Sequence, residues 1–229
     1  MKTMFVHAKL DHDVTLSKEA LKALKGKKVG LVSNVQHLHK LPEVKKQLPG
    51  SVFLGQVLGC RAENAEAKQD KVDCFLYMGT GQFHPIKVAM VTNKPVFIFS
   101  PLTKEFRELD YDFVKKYEEQ TQGALNRFFH AKNVGILIST KVGQSMGKIN
   151  RASVDLKMQP VEYLKKRKDD KKYYVFAFDT LSHQELENFN FIDCWINTAC
   201  SRIRDDENVK VVNIEDIMRY DQRNSKVKD

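Results

Sequence analysis

The sequence predicts an α/β protein built from two repeated units with parallel-rich sheets, and three observations carry that reading. Short apolar runs alternate along the chain with segments of helix-like composition. The runs are apolar throughout rather than at every second residue, as befits strands covered on both faces. The third observation is an internal echo. "KKVGLVSNVQ" from Lys27 and "KNVGILISTKVGQ" from Lys132 share a basic residue, a Val-Gly pair and a β-branched run ending in polar residues. Aligning Gly30 with Gly135 gives an offset of 105 residues, which is the size of a domain.

The elements follow in order. Residues 1–26 read as a strand, "TMFVHAK", and a linker, because a lone strand ahead of a complete unit has no sheet partner. The first unit spans 27–131, with strands at Val29–Val35, Val52–Leu58, Cys74–Met78 and Val96–Phe99. Between them "LPEVKKQL", "AENAEAKQD" and "HPIKVAMVTN" have helical composition. The long stretch "YDFVKKYEEQTQGALNRFFHAK" is amphipathic, with Phe113, Tyr117, Leu125 and Phe128 as its apolar stripe. The second unit spans 132–229. Its strands are Val134–Ser139, Tyr174–Phe178, the run "CWINTAC" and the start of "VKVVNIEDIMRY", which ends in a helix. "INRASVDLKMQPVEYLKKRK" reads as a helix bent or divided at Pro160. In "LSHQELENF", Ser182 and Glu185 have the spacing of a capping box.

Composition narrows the function classes. No apolar run approaches the roughly 20 residues of a membrane helix, and "MKTMFVHAKLDHD" lacks the apolar centre of a signal peptide. A cytoplasmic location is the expectation. Four cysteines (Cys60, Cys74, Cys194 and Cys200) without CxxC or Cys/His finger spacing exclude a disulfide framework and a structural zinc finger. Reduced thiols remain available as metal or cluster ligands. The net charge of +9 suits an acidic partner, but it concentrates in "EYLKKRKDDKKYY" and in the tail "RNSKVKD". That pattern fits a solvated helix end and a frayed terminus. No RNA-binding signature accompanies it.

In open parallel sheets, ligands bind beyond the carboxyl ends of the strands. Cys60 and Cys200 both fall at such ends, one per unit, whereas Cys74 and Cys194 lie inside apolar runs and read as buried side chains. Gly79 and Gly81 in "YMGTGQFHP" permit a tight turn whose amides can approach an anionic or nucleotide ligand, with His84 beside them. Lys141 and Gln144 stand at the end of the second unit's first strand. Arg202, two residues after Cys200, suits bidentate binding of a carboxylate. No catalytic triad or carboxylate pair is evident.

"GQVLGC", "DCFLYMGTGQFHPIKVAM", "STKVGQ" and "FIDCWINTACSRI" resemble, in the same order, motifs of the diphthamide-synthesis radical enzymes, the archaeal 2-(3-amino-3-carboxypropyl)histidine synthases and their eukaryotic paralogues. The resemblance runs from about Lys27 to Tyr220. It makes the two units Rossmann-like and equates them with the second and third of that family's three domains. Each domain there contributes one cysteine to a 4Fe-4S cluster, and the matching positions here are Cys60 and Cys200. S-adenosylmethionine is the substrate whose 3-amino-3-carboxypropyl group passes to a histidine of translation elongation factor 2. Gly79, Gly81, His84, Lys141, Gln144 and Arg202 are the implied contacts to it. The family's first domain has no counterpart in this sequence, and "TMFVHAK" resembles its last strand, so a separate N-terminal domain polypeptide is the expected partner. The family's dimers imply a dimer. Ser201 replaces the proline that follows the family's last cysteine. A non-catalytic partner subunit and a binding module for a translation factor are the competing expectations.

Overall fold

The computed structural model describes residues 4, 6–141, 160–205 and 211–225. The chain divides into two compact units, Met1–Lys116 and Tyr117–Asp229.

The first unit begins with α1 (Lys18–Leu24), whose N-cap Ser17 accepts a hydrogen bond from the Ala20 amide. There follow β1 (Val29–Ser33), α2 (Leu41–Gln47), β2 (Val52–Gln56), α3 (Glu63–Glu66), β3 (Cys74–Met78), α4 (Phe83–Thr92), β4 (Val96–Phe99) and β5 (Phe106–Glu108). The strands form one sheet in the order β2-β1-β3-β4-β5. All neighbours are parallel except β4 and β5. Reversal of order on either side of β1 makes the carboxyl ends of β1 and β3 the topological switch point. One face of the sheet is covered by Leu24, Leu41 and Val44 from α1 and α2. The other is covered by Ala65, Val88 and Ala89 from α3 and α4.

The second unit holds most of α5 (Tyr111–His130), then β6 (Asn133–Ser139), α6 (Pro160–Lys166), β7 (Lys172–Phe178), α7 (His183–Leu186), β8 (Cys194–Asn197), β9 (Val211–Asn213) and α8 (Ile214–Ser225). Its sheet is fully parallel in the order β7-β6-β8-β9, which repeats the first four strands of the other unit. The sequence echo is therefore a topological one: β1 and β6 are the same central strand.

The two glycines of the echo have one physical job. Gly30 pairs with Phe75 of the third strand, and Gly135 pairs with Trp195. A Cβ on Gly30 would lie 2.7 Å from Leu54 Cδ1 and 2.9 Å from Phe75 Cδ1. One on Gly135 would lie 2.3 Å from Trp195 Cε3. In both units an aromatic ring rests on the bare backbone of the neighbouring strand.

Several expectations change. The stretch "TMFVHAK" forms no strand among its described residues, and Met4 and Val6 are exposed. Among the described residues, the first backbone tie of this segment to the rest of the unit is Leu10 N–H to the Gln36 carbonyl. Part of the segment read as a linker is core, because Val14, Leu16, Ala20 and Leu24 are buried in the first unit. The strand β5 went unseen because three residues leave too short a pattern. In α5, Phe113 is exposed and Val114 is buried in its place, with Ala124, Leu125 and Phe128 completing the stripe. The division of the chain falls within α5 rather than after it. Val114 joins the first core and the later residues the second. Ser182 is the N-cap of α7 but makes no side-chain capping bond, since a single helical turn offers little to cap. Pro160 opens α6 as its first residue, where a missing amide costs nothing; the rest of that expected helix, 149–159, lies outside the described residues.

Replacing Gly135 with alanine should lower unfolding free energy by about 1–3 kcal/mol, because a Cβ drives into the Trp195 ring. Urea denaturation followed by fluorescence of Trp195, the protein's one tryptophan, measures this. An unchanged midpoint would mean that the ring does not rest on the strand.

Candidate functional site

In the first unit the chain leaves β2 through a tight turn. Leu58 and Arg61 form an isolated antiparallel bridge, with Leu58 N–H to Arg61 O at 2.7 Å and Arg61 N–H to Leu58 O at 3.0 Å. The bridge leaves Gly59 and Cys60 at the tip, with Cys60 partly exposed and outside any disulfide. Gly59 leaves room for the Phe83 ring, since a Cβ there would fall 1.9 Å from Phe83 Cε1. Phe83 opens α4, the helix that follows β3. The turn after β2 thus reaches across the end of β1 to the start of α4, spanning the switch point.

The loop from β3 to α4 carries three predicted residues. Gly79 donates its N–H to Phe99 O at 3.0 Å, and Gly81 has φ +75°, which favours glycine. His84 lies in the first turn of α4, its ring 5.3 Å from Phe83 and 6.0 Å from Tyr77. The start of a helix presents amides without intrahelical acceptors, and Gln82, the N-cap, supplies no side-chain bond to them. Tyr77 is fully buried, and its hydroxyl sits over Gly79, 2.6 Å from where a Cβ would stand. Burial pushes the phenol well above its usual range, although Asn34 lies near enough to favour its ionised form.

In the second unit, Lys141 follows β6 and its ammonium donates to Thr180 Oγ1 at 3.2 Å, beyond the end of β7. Gln144 lies outside the described residues. Cys200 sits in the turn after β8, partly exposed, and Arg202 is exposed on the 3₁₀ turn Ser201–Asp205 that follows. Ser201 opens that turn, a position that also accepts proline. Its buried hydroxyl has no hydrogen-bond partner among the described residues.

The Cys200 turn is held by three residues that the sequence alone did not single out. Asn197 Nδ2 donates to Cys200 O at 2.8 Å and to Asn213 Oδ1 at 2.7 Å, while Asn197 Oδ1 accepts from Ala199 N–H at 2.9 Å. Both asparagines are buried. Thr198 Oγ1 donates to Leu137 O at 2.5 Å, tying the turn to the end of β6.

The remaining cysteines behave differently. Cys74 and Cys194 begin the third strand of their units, paired with Val29 and Val134, and both are buried. Burial pushes the Cys74 thiol up to about 11, so it resists becoming the thiolate that a metal requires. Cys60 and Cys200 are the thiols within reach of a metal, each partly exposed at a strand end of its own unit. No group of three or more metal-capable side chains occurs among the described residues. No helix among them is long and apolar enough to cross a membrane.

Fold and site together define an α/β protein of two like units, each with one cysteine on a strand-end turn. A family model for diphthamide synthesis proteins matches residues 1–210. The chain belongs to that family. It is 29% identical over 180 residues to the 2-(3-amino-3-carboxypropyl)histidine synthase of Methanocaldococcus jannaschii, covering 78% of this chain and 46% of that protein. The synthase of Pyrococcus horikoshii is 29% identical over 194 residues, covering 78% and 51%. The subunit 1 protein of Encephalitozoon cuniculi is 22% identical over 217 residues, covering 88% and 58%. The chain thus spans about half the length of the curated relatives it matches. The crystal structure of Dph2 from Pyrococcus horikoshii with a 4Fe-4S cluster aligns at TM-score 0.67 and 25% identity, covering 87% of this chain and 59% of that one.

Iodoacetamide at pH 8 should modify Cys60 and Cys200 in the folded protein and spare Cys74 and Cys194 until it unfolds. Burial keeps Cys74 in its unreactive thiol form at that pH. Peptide mass spectrometry over time reads the order. Early labelling of Cys74 would overturn the partition of the four thiols.

Proposed function

We propose that the chain is a component of a 2-(3-amino-3-carboxypropyl)histidine synthase, in which Cys60 and Cys200 supply two thiolate ligands of a 4Fe-4S cluster. A further ligand comes from another α/β unit, on the same or a separate polypeptide. The observation that carries this reading is the partition of the cysteines. Two stand partly exposed on tight strand-end turns, and two are buried as strand residues.

When bound, the cluster would supply the one-electron reducing chemistry by which S-adenosylmethionine is cleaved to methylthioadenosine and gives up its 3-amino-3-carboxypropyl group. The protein substrate is a histidine of translation elongation factor 2. This chain's residues bind and orient. The Gly79–Gly81 loop presents backbone amides to the nucleotide portion, and His84 flanks them. Lys141 and Gln144 serve the same purpose in the second unit. Arg202 offers a guanidinium to the methionyl carboxylate. The Leu58–Arg61 bridge and the Phe83 ring hold Cys60 in place, so the thiolate need not be ordered when iron arrives.

A second reading is a partner subunit that takes no part in the chemistry. Two partly exposed cysteines, short of a full ligand set, are compatible with it. The two separate in one experiment. The chain is reconstituted anaerobically with iron and sulfide, alone and with a supplied first domain of a relative. Iron content, electron-spin spectra and methylthioadenosine release are then measured. The synthase reading expects Cys60→Ala or Cys200→Ala to abolish the reducible four-iron signal and lower product at least 100-fold. Full activity of the assembly with either cysteine removed would leave the partner-subunit reading.

A further inference from the structure

The two units can be matched residue by residue through their strand registers. Val29 pairs with Cys74 as Val134 pairs with Cys194, and Phe75 pairs with Val96 as Trp195 pairs with Val211. Along these registers Asn197 occupies the place of Tyr77, and Asn213 the place of Ile98. Tyr77 pairs with Ile98, and Asn197 with Asn213. The fold therefore does not require amides there. Only the unit whose third strand leads to a cysteine carries them.

Two buried amides are costly unless their hydrogen bonds are made. Here they are made to one another and to the Cys200 turn. Asn197 uses both N–H donors, on Cys200 O and Asn213 Oδ1, and its oxygen accepts from Ala199 N–H. Reversing the amide would set its oxygen against two acceptors, so this network fixes its orientation. The Cys200 carbonyl also accepts from Ile203 N–H at 3.0 Å. Asn213 Nδ2 reaches Ser201 O at a longer 3.4 Å. The peptide before Ala199 and the peptide after Cys200 are thereby both pinned, which leaves the thiol little freedom beyond its own χ1.

We infer that Asn197 and Asn213 are positioning residues that fix the Cys200 sulfur for ligation. This rests on the reading of Cys200 as a cluster ligand. Asn197→Asp keeps the size and the acceptor for Ala199 but loses the donor to Cys200 O. Asn213→Ala removes the support behind Asn197 and leaves that donor in place.

The test is the ratio of Cys200 to Cys60 alkylation rates by iodoacetamide in the folded chain, with Cys60 as internal reference. Ile217→Val, a core change in the same unit, serves as the control for lost stability. Asn197→Asp should raise the ratio at least threefold and Asn213→Ala should raise it less, while Ile217→Val leaves it unchanged. In the assembly with a supplied first domain, Asn197→Asp should also alter the electron-spin spectrum of the cluster. An unchanged ratio in both asparagine variants, or an equal rise in the control, overturns the inference even if Cys200→Ala abolishes iron binding. If the ratio rises but Cys200→Ala leaves iron content intact, the reading of Cys200 as a ligand has failed and the positioning role falls with it. Should Asn197→Asp not fold, Asn213→Ala carries the comparison.

Discussion

A bare backbone with an aromatic ring laid against it sets the register of both sheets. Parallel strands have no hairpin to fix their alignment, so side-chain packing must do it, and a slip of one residue would turn every side chain to the opposite face. Gly30 under Phe75 and Gly135 under Trp195 leave one position where each ring fits. What lies beyond the strand ends depends on that register. Cys60, the Gly79–Gly81 loop and Cys200 are placed by how far β2, β3 and β8 run before they stop.

The repeat explains the scaffold but not the site. Cys74 and Cys194 are related by the repeat, and both are buried. Cys60 and Cys200 are not so related. One follows the edge strand β2, and the other follows the inner strand β8. Their surroundings differ accordingly. Cys60 is held by a two-bond bridge and an aromatic ring, Cys200 by a polar network. Two copies of one fold have thus been fitted with thiols by local means in each.

Much of the fold was legible because buried parallel strands are continuous apolar runs. Cys74–Met78 and Val96–Phe99 begin and end where the sequence puts them. The cysteine positions were legible for the same reason, since a residue just past such a run stands at the ligand-binding end of the sheet. The asparagine pair was not. An amide at the end of a strand looks like the start of a loop, and only the pairing of β8 with β9 shows Asn197 facing Asn213. The basic segment was half legible. Lys165, Lys166, Lys168 and Lys172 are exposed, as a solvated run should be. Arg167, however, pairs with Asp169 and Asp221 and lies over the Phe128 ring. Lys171 donates to the Phe129 and Ala131 carbonyls at the end of α5. Charge counted along a sequence cannot separate cations that face solvent from cations that close a helix.

The proposed role of Cys60 and Cys200 as cluster ligands asks the same thing of both partly exposed thiols, an ordered turn. A thiolate on a mobile turn must be ordered when iron binds, and that ordering reduces affinity. At Cys60 the turn is ordered by backbone bonds that any sequence can make, so the specific demand falls on Gly59 and Phe83. At Cys200 the chain passes from a strand into a 3₁₀ turn, and side chains add bonds to its backbone. Asn197 does so at the cost of burying an amide, which Asn213 offsets from the neighbouring strand. The second asparagine follows physically from the first: a strand-end turn that borrows hydrogen bonds from a buried side chain needs a second buried group to satisfy what is left over.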